Sequence, residues 1–427
     1  MTGKYRWVVI ALLFFGGMIN YLDRSALSVA APLMTKDLGL DPAALGIVFS
    51  AFFFGYAPFC FVGGWAADRY GARRVFIVAM TVWSIFCGLT AAATSVITLL
   101  IIRLVFGMGE APFSTGANKV VSNWFPRREQ AGAIGMANAG TPLGGAISGP
   151  IVGLIAVAFG WRVSFLVVAA FGLVWVVAWA VLVRDRPADH PRVSREEVAL
   201  IESDPGGGAI ATAAALPLGT YLKRGAVLST GFAFFGYAYL LYFFLSWFPS
   251  YLTMAQHLSV QHMSVVTVIP WLLGFIGLGL GGFVCDALYR WTGNALLARK
   301  IVLVGCLLAA AVCVALAGTV TGVAPAVALM AGSVFFLYLT GNTYWAIVLD
   351  TVEPARVGGV GGFVHFIANC AGIISPALTG FLVQTTGAFT SAFVLAGAFA
   401  LFGAGSVAFF VRAPAMPVRA VGRAAAS

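Results

Sequence analysis

The stretch Gly64-Trp-Ala-Ala-Asp68-Arg69-Tyr-Gly71-Ala-Arg73-Arg74 closes one long apolar run, and Gly282-Phe-Val-Cys-Asp286, followed by Arg290 and Arg299-Lys300, closes another. In both, a glycine precedes an aspartate by four residues, and 218 residues separate the two glycines (64 to 282) as they separate the two aspartates (68 to 286). A pattern that returns at one offset, in the same relation to an apolar run, points to a duplicated unit. The glycine lets a second helix approach closely, the aspartate can pair with a helix N-terminus or an arginine, and the arginines stay at an anionic membrane surface. Gly64, Asp68, Arg69, Gly71, Arg73 and Asp286 are therefore expected to latch one half of the chain against the other. Flanking charge alone would explain the arginines, but not a glycine and an aspartate recurring together.

The composition around these motifs is that of a membrane protein. Of 427 residues, 61% are hydrophobic and 9% charged, with mean hydropathy +0.96, whereas soluble domains are about 25% charged. A soluble single-core enzyme is excluded. A helix needs about 20 apolar residues to cross a bilayer, and the chain divides into twelve such segments: 7–34, 44–66, 75–95, 98–122, 131–157, 162–183, 226–253, 263–286, 300–320, 324–350, 357–384 and 388–411. The polar stretch from Arg184 to Ala226 splits them six and six. The expected fold is all-α and integral to the membrane: twelve transmembrane helices in two pseudo-symmetric six-helix halves, 1–183 and 226–427, joined by a linker at 184–225.

Twenty of the 25 lysines and arginines fall on one side of these spans, only Lys36 and Arg162 fall on the other, and Arg24, Arg103 and Lys119 lie within spans. By the positive-inside rule both termini and the linker are cytoplasmic. The net charge of +10 thus belongs to membrane flanks, and no nucleic-acid partner is implied. The six cysteines all sit in apolar runs, which argues against disulfides or a metal site and reads as packing. In the linker, Ser194-Arg-Glu-Glu197 ahead of Val198, Leu200 and Ile201 reads as a capping box opening a short helix in a surface connector.

With these motifs in hand, the chain resembles the major facilitator superfamily over essentially its whole length, although Ala72 stands where that superfamily's loop motif often has a basic residue. Asn20-Tyr21-Leu22-Asp23-Arg24, with Arg103, Glu110, Asn118-Lys119 and Trp124-Phe125-Pro126, resembles more specifically the anion:cation symporter family. That family includes bacterial galactonate, glucarate and hexuronate transporters, sialin and the vesicular glutamate transporters. The resemblance implies alternating access and proton coupling. Likeness to the galactonate-type carriers implies substrate contacts at Tyr21, Tyr56, Trp345 and Asn369, residues that could otherwise fill packing gaps. Thr141 falls where a galactonate-type site uses glutamine, which departs from the galactonate pattern.

Independently of any family, ionisable residues inside spans are costly and mark function. Asp23 and Arg24 lie in span 1, and Arg103 and Glu110 in span 4. The last two are about two helical turns apart and share a face. One acid and one base on each helix can form crosswise pairs in a shared cavity. A guanidinium binds a carboxylate through two parallel hydrogen bonds, so Arg24, then Arg103, are the expected anchors for an organic anion. Asp23 and Glu110 are the candidates for proton coupling, because protonating an acid that neutralises the arginine frees it for substrate. Permanent ion pairs that merely fix helix packing are the alternative. Lys119 can snorkel to the interface, and His365, one turn before Asn369, suits either a neutral hydrogen bond or a proton relay.

These features point to a proton-coupled symporter in the bacterial inner (plasma) membrane, importing a small organic anion such as a sugar acid or related carboxylate. It would act as a monomer in lipid, driven by the proton gradient, with no cofactor, no metal and no enzymatic activity. An exporter of hydrophobic compounds would need a large apolar cavity with carboxylates, but neither Arg24 nor Arg103. An anion channel is poorly served by the repeat and the latch motif.

Overall fold

The computed structural model describes residues 4–203, 217–341, 343–352 and 357–411. Twelve of its helices are long and apolar enough to cross a membrane: α1 (Tyr5–Leu38), α2 (Pro42–Tyr70), α3 (Ala72–Ala92), α4 (Val96–Trp124), α5 (Arg127–Phe159), α6 (Trp161–Leu182), α7 (Gly225–Met254), α8 (Val260–Thr292), α9 (Ala295–Ala317), α10 (Val323–Val348), α11 (Gly359–Thr386) and α12 (Thr390–Phe410). Their boundaries carry ordinary stop and start chemistry. Gly39 ends α1 in the left-handed conformation. Asp41 then caps α2 by accepting the Ala44 N–H at 2.7 Å, and Ser95 with Thr98 forms a capping box on α4. The spans match those read from the sequence to within a few residues, with one correction. Asp286 does not end its helix, which continues through Arg290 to Thr292 and stops at left-handed Gly293.

Helix packing repeats between the halves. In the first, α2 lies on α4, α1 on α5 and α3 on α6; in the second, α8 lies on α10, α7 on α11 and α9 on α12. Each pairing recurs six spans later, the three-dimensional counterpart of the duplicated motif.

The halves meet through α2 on α11, α5 on α8 and α1 on α7. Lipid tails are as apolar as leucine, so such contacts rest on close packing and hydrogen bonds. At the ends far from the linker, α2 and α11 pack without room for a side chain, since a Cβ on Gly46 would come within 2.6 Å of the Pro376 carbonyl oxygen. Ser50 donates to the Ile373 carbonyl at 2.7 Å and accepts the Ala377 N–H at 3.1 Å, and the Ala43 N–H donates to Gln384 at 3.0 Å. On this distal face α5 also touches α8, where Gly145 lies against Trp271 and Gly149 against Ser264.

The linker face lacks such contacts at the latch motifs. A Cβ on Gly64 would meet only Thr115 of its own half, at 3.8 Å, and one on Gly282 nothing within 4 Å. Asp68 is exposed and pairs with Lys119, also of the first half, at 3.1 Å. Lys119 thus has an acidic partner where snorkelling to the interface was expected. Gly71 and Arg73 turn to the start of the linker, where the Arg73 N–H donates to Asp185 at 2.8 Å. Arg69 lies over Trp65 and Tyr70, and Asp286 is exposed. None of these contacts bridges the halves.

The linker is more than a surface connector. Ser194 caps Arg195–Glu202 by accepting the Glu197 N–H, but the Glu197 carboxylate does not return to close the expected box. It is buried and accepts the Tyr5 and Arg6 N–H groups, each at 3.1 Å, capping α1 with a side chain distant in sequence. Arg6 also reaches Glu197 at 3.3 Å and Glu129 at 3.2 Å.

Candidate anion-binding site

Arg24 of α1 and Glu110 of α4 form a buried ion pair. Arg24 Nε donates to Glu110 Oε1 at 3.0 Å, and a terminal guanidinium nitrogen reaches the same oxygen. Glu110 is fully buried and Arg24 6% exposed, so water screens the pair little. Glu110 Oε2 is buried with no partner among the described residues. The pair forms because α2 and α4 cross with glycine on both sides: a Cβ on Gly55 would strike the Leu104 carbonyl, and one on Gly107 the Phe52 carbonyl. This draws α4, and Glu110 with it, against the centre of the half.

Aromatic rings surround the guanidinium. Its carbon lies 4.8 Å from the Phe52 ring centre, 4.9 Å from Tyr56, 5.2 Å from Tyr21 and 6.0 Å from Phe53, within the range of cation–π attraction. Tyr56 Oη is 2.7 Å from Ser114 Oγ. Phe52 and Phe53 were not singled out from the sequence. The available signal was their position one turn before Tyr56, on the face that turns towards α1.

The second crosswise pair does not form. Asp23 turns to α3, where it accepts the Trp83 indole N–H at 2.8 Å, and both residues are fully buried. Adjacent helical residues point about 100° apart, and here Asp23 turns towards α3 while Arg24 turns towards α4. Arg103 lies 5.1 Å from the Phe52 ring centre and 5.0 Å from Phe106, and its Nε has no hydrogen-bond partner among the described residues. Trp83 was missed, although a mid-span indole needs an acceptor when buried.

From the second half comes a neutral chain. Tyr242 Oη donates to Asn369 Oδ1 at 3.3 Å. The Asn369 amide nitrogen donates to the His365 carbonyl at 2.9 Å and lies 3.1 Å from His365 Nδ1. Tyr242 joins this chain to the arginine cage, its ring 4.3 Å from that of Phe53. Trp345 is 5.9 Å from His365 and 41% exposed. Tyr21 packs edge-on against Trp271 at 6.0 Å. Arg24, Glu110, Tyr21 and Tyr56 are thus brought together and Asn369 connects through Tyr242 and Phe53. Trp345 stands with His365, while Asp23 and Arg103 have partners outside the pair. Thr141 donates to the Asn138 carbonyl of its own helix at 2.9 Å.

A separate cavity of about 380 Å³ lies at the distal ends of α1, α2 and α7, lined by Lys36, Pro42, Trp247 and Thr253 among others and by no residue of the arginine cage. Among the described residues no three His, Cys, Asp or Glu side chains are grouped to hold a metal ion.

Residues 13–364 match the Major Facilitator Superfamily. The chain is 53% identical over 414 residues to the hexuronate transporter of Bacillus subtilis (strain 168), covering 96% of each chain. It is 34% identical to a probable galactarate/D-glucarate transporter of the same organism, covering 93% of this chain and 90% of that one. Its fold resembles a bacterial homologue of the human lysosomal transporter Spinster in an inward-facing, unoccupied conformation, with TM-score 0.74, 18% identity, and 97% of this chain and 100% of that one covered.

Proposed function

The chain belongs to the Major Facilitator Superfamily, it is a membrane transporter of organic anions and not an enzyme, and from that premise we propose that it imports a sugar acid with protons by alternating access. The observation that carries this reading is the Arg24–Glu110 pair. A buried arginine is the counter-charge an organic anion needs in hydrocarbon, and here a carboxylate already occupies it. Protonating Glu110 cancels that attraction and frees a guanidinium, walled by aromatic rings, for the carboxylate of a substrate. Returning the proton to the other side restores the pair and expels the anion. Coupling follows because one cation serves two carboxylates in turn.

The direction of transport rests on charge and contact. Twenty of the 25 basic residues flank the linker face, so that face, with both termini, is assigned to the cytoplasm. The close packing of α2 on α11 at the distal face supports reading this as a conformation open to the cell interior, and Asp68 and Asp286 would engage when the linker face closes. Each elementary charge crossing 100 mV supplies about 2.3 kcal/mol, so a monoanion carried with more than one proton is driven inward by the membrane potential. Relatives that carry hexuronates and galactarate or glucarate support a sugar acid as cargo. The surroundings are a bacterial inner membrane, with each monomer enclosing its own site.

The test is melting of the detergent-purified protein against sugar acids and their neutral sugars, followed by uptake into proteoliposomes with and without a pH gradient. Stabilisation that requires the carboxylate, and accumulation that collapses with the gradient, are expected. Stabilisation by neutral hydrophobic compounds alone would overturn the reading.

A further inference from the structure

The cavity at the distal ends of α1, α2 and α7 takes no part in the Arg24 site. Both halves line it: Thr35 and Lys36 come from the first, Trp247, Ser250 and Thr253 from the second, and Ser259 from the turn before α8. Its volume of about 380 Å³ lies within the range of about 300–1,000 Å³ that small-molecule sites occupy. Among the described residues the distal face carries few ionisable groups: Lys36, Asp37, Asp41 and Arg162, with His257 and His262. Arg162 is committed to Asp37, which also accepts the Trp161 indole N–H at 3.0 Å. Asp41 accepts the Ala44 N–H. The Lys36 ammonium group has no ion-pair partner among the described residues. Its place in the last turn of α1 suits the helix dipole, but that role does not require a cavity beside it.

The hydroxyls of the wall specify the rest of a ligand. Thr35 donates to the Pro32 carbonyl at 3.3 Å and Thr253 to the Ser250 carbonyl at 3.1 Å. Each has used its one proton and keeps acceptor lone pairs, so the wall suits hydroxyl groups that donate, while the lysine suits a carboxylate. The Trp247 indole N–H is held by the Pro376 carbonyl at 3.0 Å, which leaves its ring as an apolar surface for carbon atoms. We propose that this cavity is a second, outer site for a small hydroxylated carboxylate, with the carboxylate on Lys36 and the hydroxyls on Thr35 and Thr253. A ligand there touches both halves, and Trp247 ties its wall to α11 at the distal contact, so occupancy favours the closed distal face. Lys36 is exposed and screened by water and salt. The site therefore fills only at millimolar ligand, above the concentrations that report on Arg24. It goes beyond the import reading: an external anion in excess slows the carrier.

Thr253→Cys reports on the cavity. Reaction of the detergent-purified variant with a polar maleimide, corrected for labelling of the wild-type chain, should be slowed several-fold by millimolar galacturonate and not by neutral galactose. Lys36→Gln added to this variant should remove the protection. Protection that survives Lys36→Gln arises elsewhere, the Arg24 site included, and overturns the proposal, as does an absence of protection with Lys36 in place. Ser259→Cys serves as the reporter if Thr253→Cys does not fold. In proteoliposomes, uptake should fall at millimolar external galacturonate in the wild-type chain and hold its plateau in Lys36→Gln. Protection without that fall keeps the site and overturns its hold on the distal face. Absence of uptake in both chains counts against the import reading, while protection still decides this one.

Discussion

Arg24 and Glu110 come from helices far apart in sequence, yet they share one carboxylate oxygen at the centre of the first half, with Nε of Arg24 3.0 Å from Glu110 Oε1. The pair is fully enclosed, whereas Arg6–Glu129, between α1 and α5, is partly exposed and Lys119–Asp68 and Arg162–Asp37 are more exposed still. A buried pair is a poor source of net stability, but removing one partner strands the other. That asymmetry makes binding and stability separable by mutation.

Arg24→Ala should abolish sugar-acid binding and also lower the melting temperature, because a stranded buried carboxylate costs about 3–5 kcal/mol. The double variant Arg24→Ala/Glu110→Gln should recover most of the melting temperature and none of the binding. Recovery of binding would show that Arg24 is not the anchor.

Glu110→Gln keeps the shape of the side chain and removes its titration. Proteoliposomes should lose accumulation driven by a pH gradient while still exchanging internal for external substrate. Persistent accumulation would transfer the coupling role to Asp23.

Gly46→Val places bulk against the Pro376 carbonyl, where even a Cβ has no space. The distal ends of α2 and α11 should part, and a cysteine introduced as Ser50→Cys should react several-fold faster with a membrane-impermeant maleimide applied to the distal face. No change in labelling rate would mean that this contact does not set the closure.

Glu197→Ala removes the side chain that caps α1. Losing a helix cap costs about 0.5–2 kcal/mol, so a fall in melting temperature is expected, with sugar-acid affinity within twofold of wild type. A large loss of affinity at unchanged melting temperature would contradict a purely structural role.

His190, buried against Tyr5 with ring centres 4.2 Å apart, lies outside the spans. Burial and then the nearby Arg184 charge hold its imidazole below the ordinary range. The unfolded ring takes up a proton near pH 6.5 while the folded one resists it, so its contribution to stability is complete above that pH and is lost as pH falls through it. The melting temperature should drop between pH 7.5 and 5.5, and His190→Phe should flatten part of that drop. An identical profile in the variant would remove His190 from the account.

Twelve spans, the six-and-six division and the four mid-span charges Asp23, Arg24, Arg103 and Glu110 were legible in the chain, for one physical reason. In hydrocarbon, long apolar runs must be helical to satisfy their backbone, and a charge inside them stands out against everything around it. Arg24 and Glu110 could be named because charges are rare there, and Tyr21 and Tyr56 because the chain resembles galactonate-type carriers. Their partners could not, since helical spacing tells which face a residue occupies but not which helix crosses that face. Only the close glycine crossing of α2 and α4 gives Glu110 to Arg24, and only the position of α3 sends Asp23 to Trp83 instead of Arg103. The Phe53–Tyr242 contact that joins the two halves and the Glu197 cap on α1 likewise bridge segments whose meeting no local pattern records. The sequence by itself determined what kind of protein this is and which charges matter. The tertiary structure decided which acid the arginine holds, which half of the site is neutral and which face is closed, because each depends on how helices cross.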